Sequence, residues 1–400
     1  MAGVGAAIHL QMRGVSVTLV DRREPGRETS FGNAGLIQAE AAEPYALPRS
    51  LSKLLRIATG ISNDVAYSLR DLPRHAGALF RYWHHSAPAR YAPIGKAYAA
   101  LVGQATAEHA PLIAAAGAED LVSRRGFRSL HRTLAGLNAE AAEARHFAEA
   151  YGVKSRILSP VELMAAEPNL LQAGVGAVHW EDTWAVRDPG ALVMAYADYF
   201  RVCGGRIVRA DAESLRQSGA GWTINAEEGS ISAEAVVVAL GPWSPMLLKR
   251  FGYHVPMVEK RGYHRHYRTE RALDLPTMDA ANGYVLAPMS LGVRITTGAE
   301  LSHSATRAPS QLRRAETAAR EIMHLGQPVE DQPWSGIRPC MPDMLPVVGE
   351  APRHKGLWLH FGHGHQGFTL GPATGRLLAE VMLGEAPYVD PAPYNPIRLF

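Results

Sequence analysis

Cysteine is almost missing from this chain. Cys203 and Cys340 are the only two among 400 residues, which excludes a disulfide framework and indicates a reducing compartment. The sequence contains no stretch of about 18 consecutive apolar residues and no basic-then-apolar leader. It therefore predicts neither a membrane span nor a secretory signal, and we expect a cytoplasmic protein.

Concentrated charge and the common short catalytic motifs are also missing. The 41 Lys and Arg residues and the 38 Asp and Glu residues are spread along the chain, with a net charge of +3. No basic stripe therefore indicates binding to nucleic acid. A G-x-S-x-G elbow, a P-loop, an H-E-x-x-H pair and a paired-carboxylate pattern are all absent from the sequence, which argues against the enzyme classes that use them.

The first residues, MAGVGAAIHLQMRGVSVTLVDRR, are typical of a dinucleotide-binding unit. Apolar side chains four residues apart predict a helix over Val4–Met12, and residues 15–21 predict a buried strand. The usual length of such a helix before Gly14 makes Gly3 the last glycine of a G-x-G-x-x-G fingerprint. Asp21 is then placed to accept hydrogen bonds from a ribose. A generic buried helix–strand pair explains these residues about equally well.

The first two glycines of that fingerprint, and the strand that leads into them, would precede Met1. A sheet without this strand leaves apolar faces and backbone groups unpaired. We therefore expect the chain as printed to fold poorly or to bind its cofactor weakly. An inactive truncated remnant that lacks the first cofactor-binding strand is accordingly one alternative.

Three later segments carry further signals. The apolar strand at 235–240 ends in GPW, where Gly241 permits the backbone to pass close to a flat ligand. The proline-rich segment 336–349, GIRPCMPDMLPVVG, holds Arg338 rigidly for two-point binding of a carboxylate, with a surface loop arginine as the alternative. Residues 360–375, HFGHGHQGFTLGPATG, predict a glycine-rich turn before a helix, and the free amides there suit negative charge.

The histidine-rich stretches invite a metal interpretation. No Cys or carboxylate ligand set accompanies HFGHGHQG, so we expect no metal. HRHY at 264–267 is better explained as a polar strand that faces a pocket. Cys340 could tether a cofactor, but a free buried thiol is the commoner role.

Taken in order, these segments resemble the FAD-dependent amine oxidoreductases of the D-amino-acid oxidase, glycine oxidase and sarcosine oxidase superfamily, and above all its D-amino-acid dehydrogenase branch. ETSFGNAGLI at 28–37 resembles that branch's second cofactor loop. GIRPCMPDMLPVVG resembles its G-[LI]-R-P-x-x-P-D-x-L-P-x-x-G segment, and GHGHQGFTL resembles its G-H-G-x-x-G-[WF]-T turn. The resemblance covers essentially the whole chain from residue 3 onward.

The resemblance implies an α/β fold in which an FAD-binding, doubly wound Rossmann-like domain is interleaved with an antiparallel-sheet substrate domain. The implied FAD-binding domain is discontinuous, with a helical region and the substrate sheet between its parts. Its residues are 1–50, 150–250 and 335–400, the helical region is 51–149, and the substrate domain is 251–334.

The resemblance also implies site residues, carried over by position. Gly3 and Asp21 would hold the pyrophosphate and the adenosine ribose of FAD, and Arg338 would clamp the substrate carboxylate. Tyr263 and Tyr267 would form a wall of the substrate pocket. The implied cofactor-binding residues are Gly3, Asp21, Arg22, Ser30, Asn33, Ala34, Gly241, Trp243, Gly364, Gly367, Phe368 and Thr369.

The implied reaction is the oxidative deamination of D-amino acids by hydride transfer to the flavin, followed by hydrolysis of the imino acid to a keto acid. Sarcosine-oxidase relatives place an oxygen-activating lysine over the flavin, in a strand that resembles LGVRITTG, where this chain has Arg294. This favours a quinone or another electron acceptor over oxygen, and allows peripheral contact with the inner face of a membrane. A glycine or sarcosine-type oxidase that releases peroxide is the runner-up, and the C-terminal turn disfavours an NAD-dependent dehydrogenase.

Overall fold

The computed structural model describes residues 1–50, 65–67, 72–301, 305–306 and 308–400. Part of the predicted helical region, 51–149, lies outside the described residues. Within the described ranges, the helices are too short or too polar for any of them to cross a membrane.

Helices and strands alternate along most of the described chain. The helices are α1 (Ala2–Met12), α2 (Leu72–His85), α3 (Pro88–Val102), α4 (Ala105–Ala115), α5 (Leu134–Tyr151), α6 (Pro160–Ala166), α7 (Pro189–Val202), α8 (Ser244–Lys249), α9 (Ser310–Ile322) and α10 (Gly367–Leu383). The strands are β1 (Thr18–Asp21), β2 (Leu36–Ile37), β3 (Val65–Tyr67), β4 (Val122–Ser123), β5 (Phe127–His131), β6 (Ser155–Leu158), β7 (Gly176–Trp180), β8 (Trp184–Val186), β9 (Arg206–Arg209), β10 (Arg216–Ser218), β11 (Gly221–Ala226), β12 (Gly229–Ala233), β13 (Val236–Val238), β14 (Val258–Tyr267), β15 (Thr277–Asp279), β16 (Tyr284–Met289), β17 (Gly292–Thr297), β18 (Ala299–Leu301), β19 (Trp334–Cys340), β20 (Val347–Glu350) and β21 (Leu357–Phe361).

Helix α1 packs against α10 at a separation that requires glycine. A Cβ atom on Gly371 would lie 2.6 Å from the Met1 side chain, and one on Gly375 would lie 2.6 Å from the Ala6 nitrogen. Real Cβ atoms do not approach other atoms so closely. Because Met1 meets Gly371 and Ala6 meets Gly375, the two helices run parallel, and the start of α1 lies beside the second turn of α10.

Two small sheets contain the parallel strand pairs expected of a nucleotide-binding fold. Strand β1 pairs with β9, and β13 pairs with β21, which also pairs with β20 in antiparallel orientation. The predicted helix is found as α1 and the predicted strand as β1. Gly14, where the helix was predicted to stop, has φ +82 and follows the end of α1.

A larger sheet makes up the other half of the fold. Its order is β3-β18-β14-β17-β16-β15-β5-β7-β6, and β19 pairs with β14 off this path. Its pairs are mostly antiparallel, and α9 packs against β17 over an apolar core. The predicted α/β fold with a separate antiparallel sheet is confirmed. Strands β3, β5, β6 and β7 and most of β19 lie outside 251–334 and yet join this sheet, and the exact domain boundaries stay a prediction.

Candidate active site

A cavity of about 2170 Å³ separates the parallel strands from the large sheet and draws its lining from the start, the middle and the end of the chain. Pockets for small ligands commonly measure about 300–1,000 Å³. The cavity therefore has room for a large cofactor and a substrate together. Of the predicted site residues, Tyr267 and Thr369 are the two that do not line it.

The cavity follows the backbone edges of two strands. Residues 15–22, which include β1, and residues 231–241, which include β13, line it without a gap. Because side chains alternate between the faces of a strand, an unbroken run means that the cavity meets each strand along its edge. In the described part of the chain neither edge has a strand partner. The weak cofactor binding expected from the sequence stays a prediction.

The N-termini of α1 and α10 open into the cavity. Gly3 lies in the first turn of α1, and Gly367 and Phe368 begin α10; all three line the cavity. Neither first turn contains an acidic side chain. The first N–H groups of a helix have no partner within it and carry partial positive charge, so the paired helix ends favour an anionic or electron-rich group.

Asp21, Arg22 and Trp243 lie together at the end of β1. Asp21 lines the cavity, and burial is the main cause that raises the pKa of its carboxyl group. The guanidinium of Arg22 lies 4.2 Å from the centre of the Trp243 ring and 2.9 Å from a carboxylate oxygen of Glu28. Gly241, which starts the turn that carries Trp243, has φ +54, a conformation that glycine adopts readily.

The loop with Ser30, Asn33 and Ala34 also lines the cavity, and the large sheet holds it in place. The Asn33 side chain accepts hydrogen bonds from the Gly35 nitrogen (2.8 Å) and the Leu36 nitrogen (3.1 Å). Arg294 on β17 donates from Nη1 to the backbone carbonyl oxygens of Phe31 (3.0 Å) and Asn33 (2.6 Å).

Arg294 itself is buried and does not line the cavity. Its Nε donates to Nε2 of His266 at 2.9 Å, so Nε and Nη1 of the guanidinium are both engaged within the protein. Burial lowers the pKa of Arg294 to about 10, which still leaves it charged at neutral pH. The comparison with an oxygen-activating lysine therefore does not hold for this side chain, which orders the loop instead.

Thr369, in the first turn of α10, does not line the cavity and joins this helix to residues 36–38. Its Oγ1 accepts from the Gln38 nitrogen (3.2 Å) and donates to the Leu36 carbonyl oxygen (3.3 Å). The buried His109 reaches the carbonyl oxygens of Phe368 and Thr369 with Nε2, both at 3.1 Å. Gly364, in the preceding turn, has φ +60 and lines the cavity.

Arg338 lines the cavity from β19, as a substrate clamp requires. Its two terminal nitrogens donate to the backbone carbonyl oxygens of Gly298 (2.8 Å) and Thr297 (2.9 Å). A Cβ atom on Gly262 would lie 2.7 Å from Nη2, so this glycine makes room for the guanidinium. Burial lowers the pKa of Arg338, and in the described part of the chain it forms no ion pair with a carboxylate.

The two predicted pocket tyrosines differ in position. Tyr263 contributes to the lining, but its hydroxyl accepts from the Thr306 nitrogen at 3.3 Å, and burial raises its pKa to about 12. Tyr267 lies further along β14 in the core under α9, where its hydroxyl donates to Glu316 at 3.0 Å. The structure therefore corrects the position of Tyr267: alternation along the strand identifies a shared face but not how far the cavity extends.

Lys260 is a cavity residue that the sequence analysis did not single out. It lies opposite Arg338 in the β14–β19 register, and its ammonium is 4.6 Å from the centre of the Tyr82 ring. Burial lowers the pKa of Lys260, but Cys340 and Tyr82 outweigh this effect, and the net pKa lies above its usual value. Burial and the nearby charges of Arg338 and Lys260 lower the pKa of His365 to about 3. A signal was present in the alternation of KRGYHRHY, which puts Lys260 and Gly262 on one face.

His264, His266 and Glu330 form the one cluster of potential metal ligands among the described residues. The ring nitrogens of His266 are already engaged by Glu330 and by Arg294. His264 stacks on Trp334 with a centroid distance of 4.9 Å, and burial and Arg294 lower its pKa to about 2. A cation at this place would meet the guanidinium of Arg294, so the donor set does not fit a metal.

Two histidines of the glycine-rich turn share a buried partner. Nε2 of His360 lies 2.8 Å from Oγ1 of Thr374, and Nε2 of His363 lies 2.9 Å from the same oxygen. The hydroxyl also lies 2.7 Å from the Leu370 carbonyl oxygen, to which it donates. All three histidines of this segment line the cavity, and His365 differs from the other two in that it does not contact Thr374.

Comparison with known proteins agrees with this arrangement. Residues 1–381 match the family model described as FAD dependent oxidoreductase. A D-amino-acid oxidase of Bradyrhizobium diazoefficiens is 29% identical over 99% of this chain and 96% of its own length. A D-amino acid dehydrogenase of Chromohalobacter salexigens is 28% identical over 98% and 96%. The crystal structure of glycine oxidase from Geobacillus kaustophilus superposes with a TM-score of 0.73 at 21% identity, covering 98% of this chain and 95% of that one.

Proposed function

Because the chain belongs to the FAD dependent oxidoreductase family, we propose that it dehydrogenates D-amino acids to imino acids, which water hydrolyses to keto acids and ammonia. FAD is the cofactor of the family, and when bound it supplies the acceptor for the hydride of the substrate α-carbon. The names of the two relatives, a D-amino-acid oxidase and a D-amino acid dehydrogenase, support D-amino acids as the substrate class.

The residues that line the cavity fit such a cofactor. The N-termini of α1 and α10 both face the cavity and offer free amides, at Gly3 for a diphosphate and at Gly367 and Phe368 for an electron-rich ring edge. Asp21 ends β1 inside the cavity, where it can accept from ribose hydroxyls. Ser30, Asn33, Ala34, Arg22, Gly241, Trp243 and Gly364 complete the proposed cofactor-binding set.

The observation that carries the proposal is Arg338. Its guanidinium lines the cavity and donates to two backbone carbonyl oxygens, and among the described residues no carboxylate pairs with it. A substrate carboxylate can therefore form the missing ion pair. The carbonyls and the space above Gly262 fix its orientation before substrate binds. A carboxylate bound at two points holds the α-carbon in one orientation, which is the main contribution that positioning makes to rate.

The charge near Arg338 also favours a neutral substrate amine. Lys260 lies opposite it, and both positive charges raise the cost of bringing in an ammonium group. An amine that enters without its extra proton needs no strong base to remove one before oxidation. The protein's part in this step is to exclude the charged form and to keep water away from the reacting carbon.

The proposal is tested by turnover with the purified chain reconstituted with FAD. D- and L-amino acids are supplied with a redox dye, and keto acid, dye reduction and peroxide are measured separately. The expected result is keto acid from D-amino acids, with kcat/KM about 100-fold lower in Arg338→Met because a charged hydrogen bond contributes about 1.5–3 kcal/mol. Turnover of L-amino acids alone, or an Arg338→Met enzyme with unchanged kcat/KM, contradicts it.

The same assay separates the two electron acceptors. We propose a quinone or another acceptor other than oxygen, supported by the name of the dehydrogenase relative, with peripheral contact to a membrane as its physical setting. Dye reduction without peroxide supports this proposal. Peroxide formed in stoichiometric amount supports the runner-up, an oxidase of the glycine or sarcosine type.

A further inference from the structure

Two positive side chains, Lys260 and Arg338, lie opposite each other on one face of the β14–β19 pair and line the cavity. We propose that this cationic pair selects substrates with two carboxylates, namely acidic D-amino acids such as D-glutamate and D-aspartate. Arg338 binds the α-carboxylate and Lys260 binds the side-chain carboxylate. The proposal rests on the proposed function, of which it names the substrate class.

The register of β14 and β19 brings the two cations together. Val258 to His264 on β14 pair with Cys340 to Trp334 on β19, and Lys260 lies directly across from Arg338. Residues directly opposite in an antiparallel pair point to the same face, with Cβ atoms about 4.5–5.5 Å apart. Gly262, two residues after Lys260, leaves the space into which the Arg338 guanidinium extends. Both charged groups therefore act on the same part of the cavity.

The two cations have no acidic partner among the described residues. Like charges directly opposite on a sheet are destabilising, and half-buried cations usually have an acidic partner. Within the described ranges neither Lys260 nor Arg338 takes part in any of the ion pairs to Asp or Glu, although such pairs are numerous elsewhere in the fold. The groups that act on the Lys260 charge are Cys340, Tyr82 and Arg338. A ligand with two carboxylates supplies the two negative charges that the described residues do not pair with Lys260 and Arg338.

Aromatic and polar side chains surround Lys260. The ring of Tyr82, from α2, covers the ammonium, and the Tyr82 hydroxyl donates a hydrogen bond to the Tyr45 carbonyl oxygen. His365, across the cavity, is neutral at physiological pH because burial and the two cations lower its pKa. Neutral polar and aromatic neighbours hold Lys260 in place without neutralising it, so its charge remains available to a substrate.

The activity test compares ratios of kcat/KM. Wild-type holoenzyme, Lys260→Met and Lys260→Arg are assayed with D-glutamate, D-aspartate and D-alanine. The ratio for D-glutamate or D-aspartate over D-alanine should fall about 10- to 100-fold in Lys260→Met, as expected for loss of a charged hydrogen bond, and should largely recover in Lys260→Arg. Lys249→Met, on the exposed side of α8 and outside the cavity, is the matched control.

A binding measurement tests the same point without turnover. Isothermal titration calorimetry gives the dissociation constants of glutarate and butyrate, which share a chain but differ in one carboxylate. Wild type should bind glutarate at least about 10-fold more tightly than butyrate, and Lys260→Met should lose this difference.

The outcomes separate the two levels of the proposal. Turnover of D-alanine with an acidic-to-neutral ratio that Lys260→Met leaves unchanged overturns the cationic pair and leaves the proposed function standing. If Lys260→Met lowers kcat/KM equally for all three substrates, both cations act on the one carboxylate that these substrates share. This result also overturns the proposal that Lys260 binds a second carboxylate. Absence of turnover with every D-amino acid refutes the proposed function, whereas glutarate binding still reports on Lys260 by itself.

Discussion

The Nη1 atom of Arg294 lies 2.6 Å from the carbonyl oxygen of Asn33, and this contact fastens the cavity loop to the large sheet. Arg294→Met leaves the carbonyl oxygens of Phe31 and Asn33 and the His266 ring without their donor. We expect it to lower the free energy of unfolding by about 3 kcal/mol and to weaken FAD binding, measured by denaturant titration and by flavin fluorescence. Arg313→Met, an exposed change on α9, serves as the control, and equal FAD affinity in both variants contradicts the role of the loop.

A methyl group at position 262 should disturb Arg338 without disturbing the fold. In Gly262→Ala the new Cβ lies 2.7 Å from Nη2 of Arg338, the far end of a flexible side chain that can move. We expect the KM for D-amino acids to rise about 10-fold, while the midpoint of thermal unfolding changes little. A KM equal to that of the wild type means that the guanidinium does not hold the substrate from this position.

The packing of α1 on α10 predicts a loss of stability in Gly5→Ala. The added Cβ lies 2.7 Å from the Gly371 carbonyl oxygen, which is backbone and cannot move aside cheaply. The change should cost at least about 1–3 kcal/mol of unfolding free energy. Gly77→Ala on the exposed side of α2, with nothing within 4 Å, should instead gain about 0.5–1 kcal/mol. Equal effects in urea unfolding contradict the close approach of the two helices.

Acid should destabilise the fold through His109. Its Nε2 donates to the Phe368 and Thr369 carbonyl oxygens and its Nδ1 accepts from Tyr196, so the neutral ring is bound. Burial lowers its pKa from 6.5 to about 4. In that window the unfolded chain binds the proton and the folded chain does not, so stability is complete above pH 6.5 and falls as the pH drops toward 4.

The measurement compares wild type with His109→Gln between pH 7 and pH 4.5. The wild type should lose about 2 to 3 kcal/mol more of its unfolding free energy over this range than the variant does. Parallel pH profiles for the two proteins would falsify the assignment of this loss to His109.

The local sequence was sufficient where spacing alone decides a structure. Gly3 to Asp21 predicted a helix, a stop and a strand, and these are found. Arg338, to which the motif GIRPCMPDMLPVVG points, lines the cavity, and its role as a substrate clamp stays a prediction. In both cases neighbours along the chain determine the backbone, and the pattern is complete within about 20 residues.

Other positions depended on contacts between distant segments. Tyr267 shares a face with Tyr263, but α9 covers it, and nothing in KRGYHRHY indicates where that helix lies. Thr369 does not line the cavity and its hydroxyl donates to the Leu36 carbonyl oxygen, a contact with a distant segment, while the predicted role of its backbone amide stays a prediction. The importance of Lys260 arises from its register with β19, which only the paired strands define.

The buried hydroxyl of Thr374 fixes the protons of two imidazoles. It has one hydrogen, which it gives to the Leu370 carbonyl oxygen, so His360 and His363 must both donate to it through Nε2. Each ring is then the Nε2–H tautomer, and its Nε2 has no lone pair available to bind another ligand. Nitrogen-15 spectra should accordingly report two neutral histidines of the same Nε2–H tautomer.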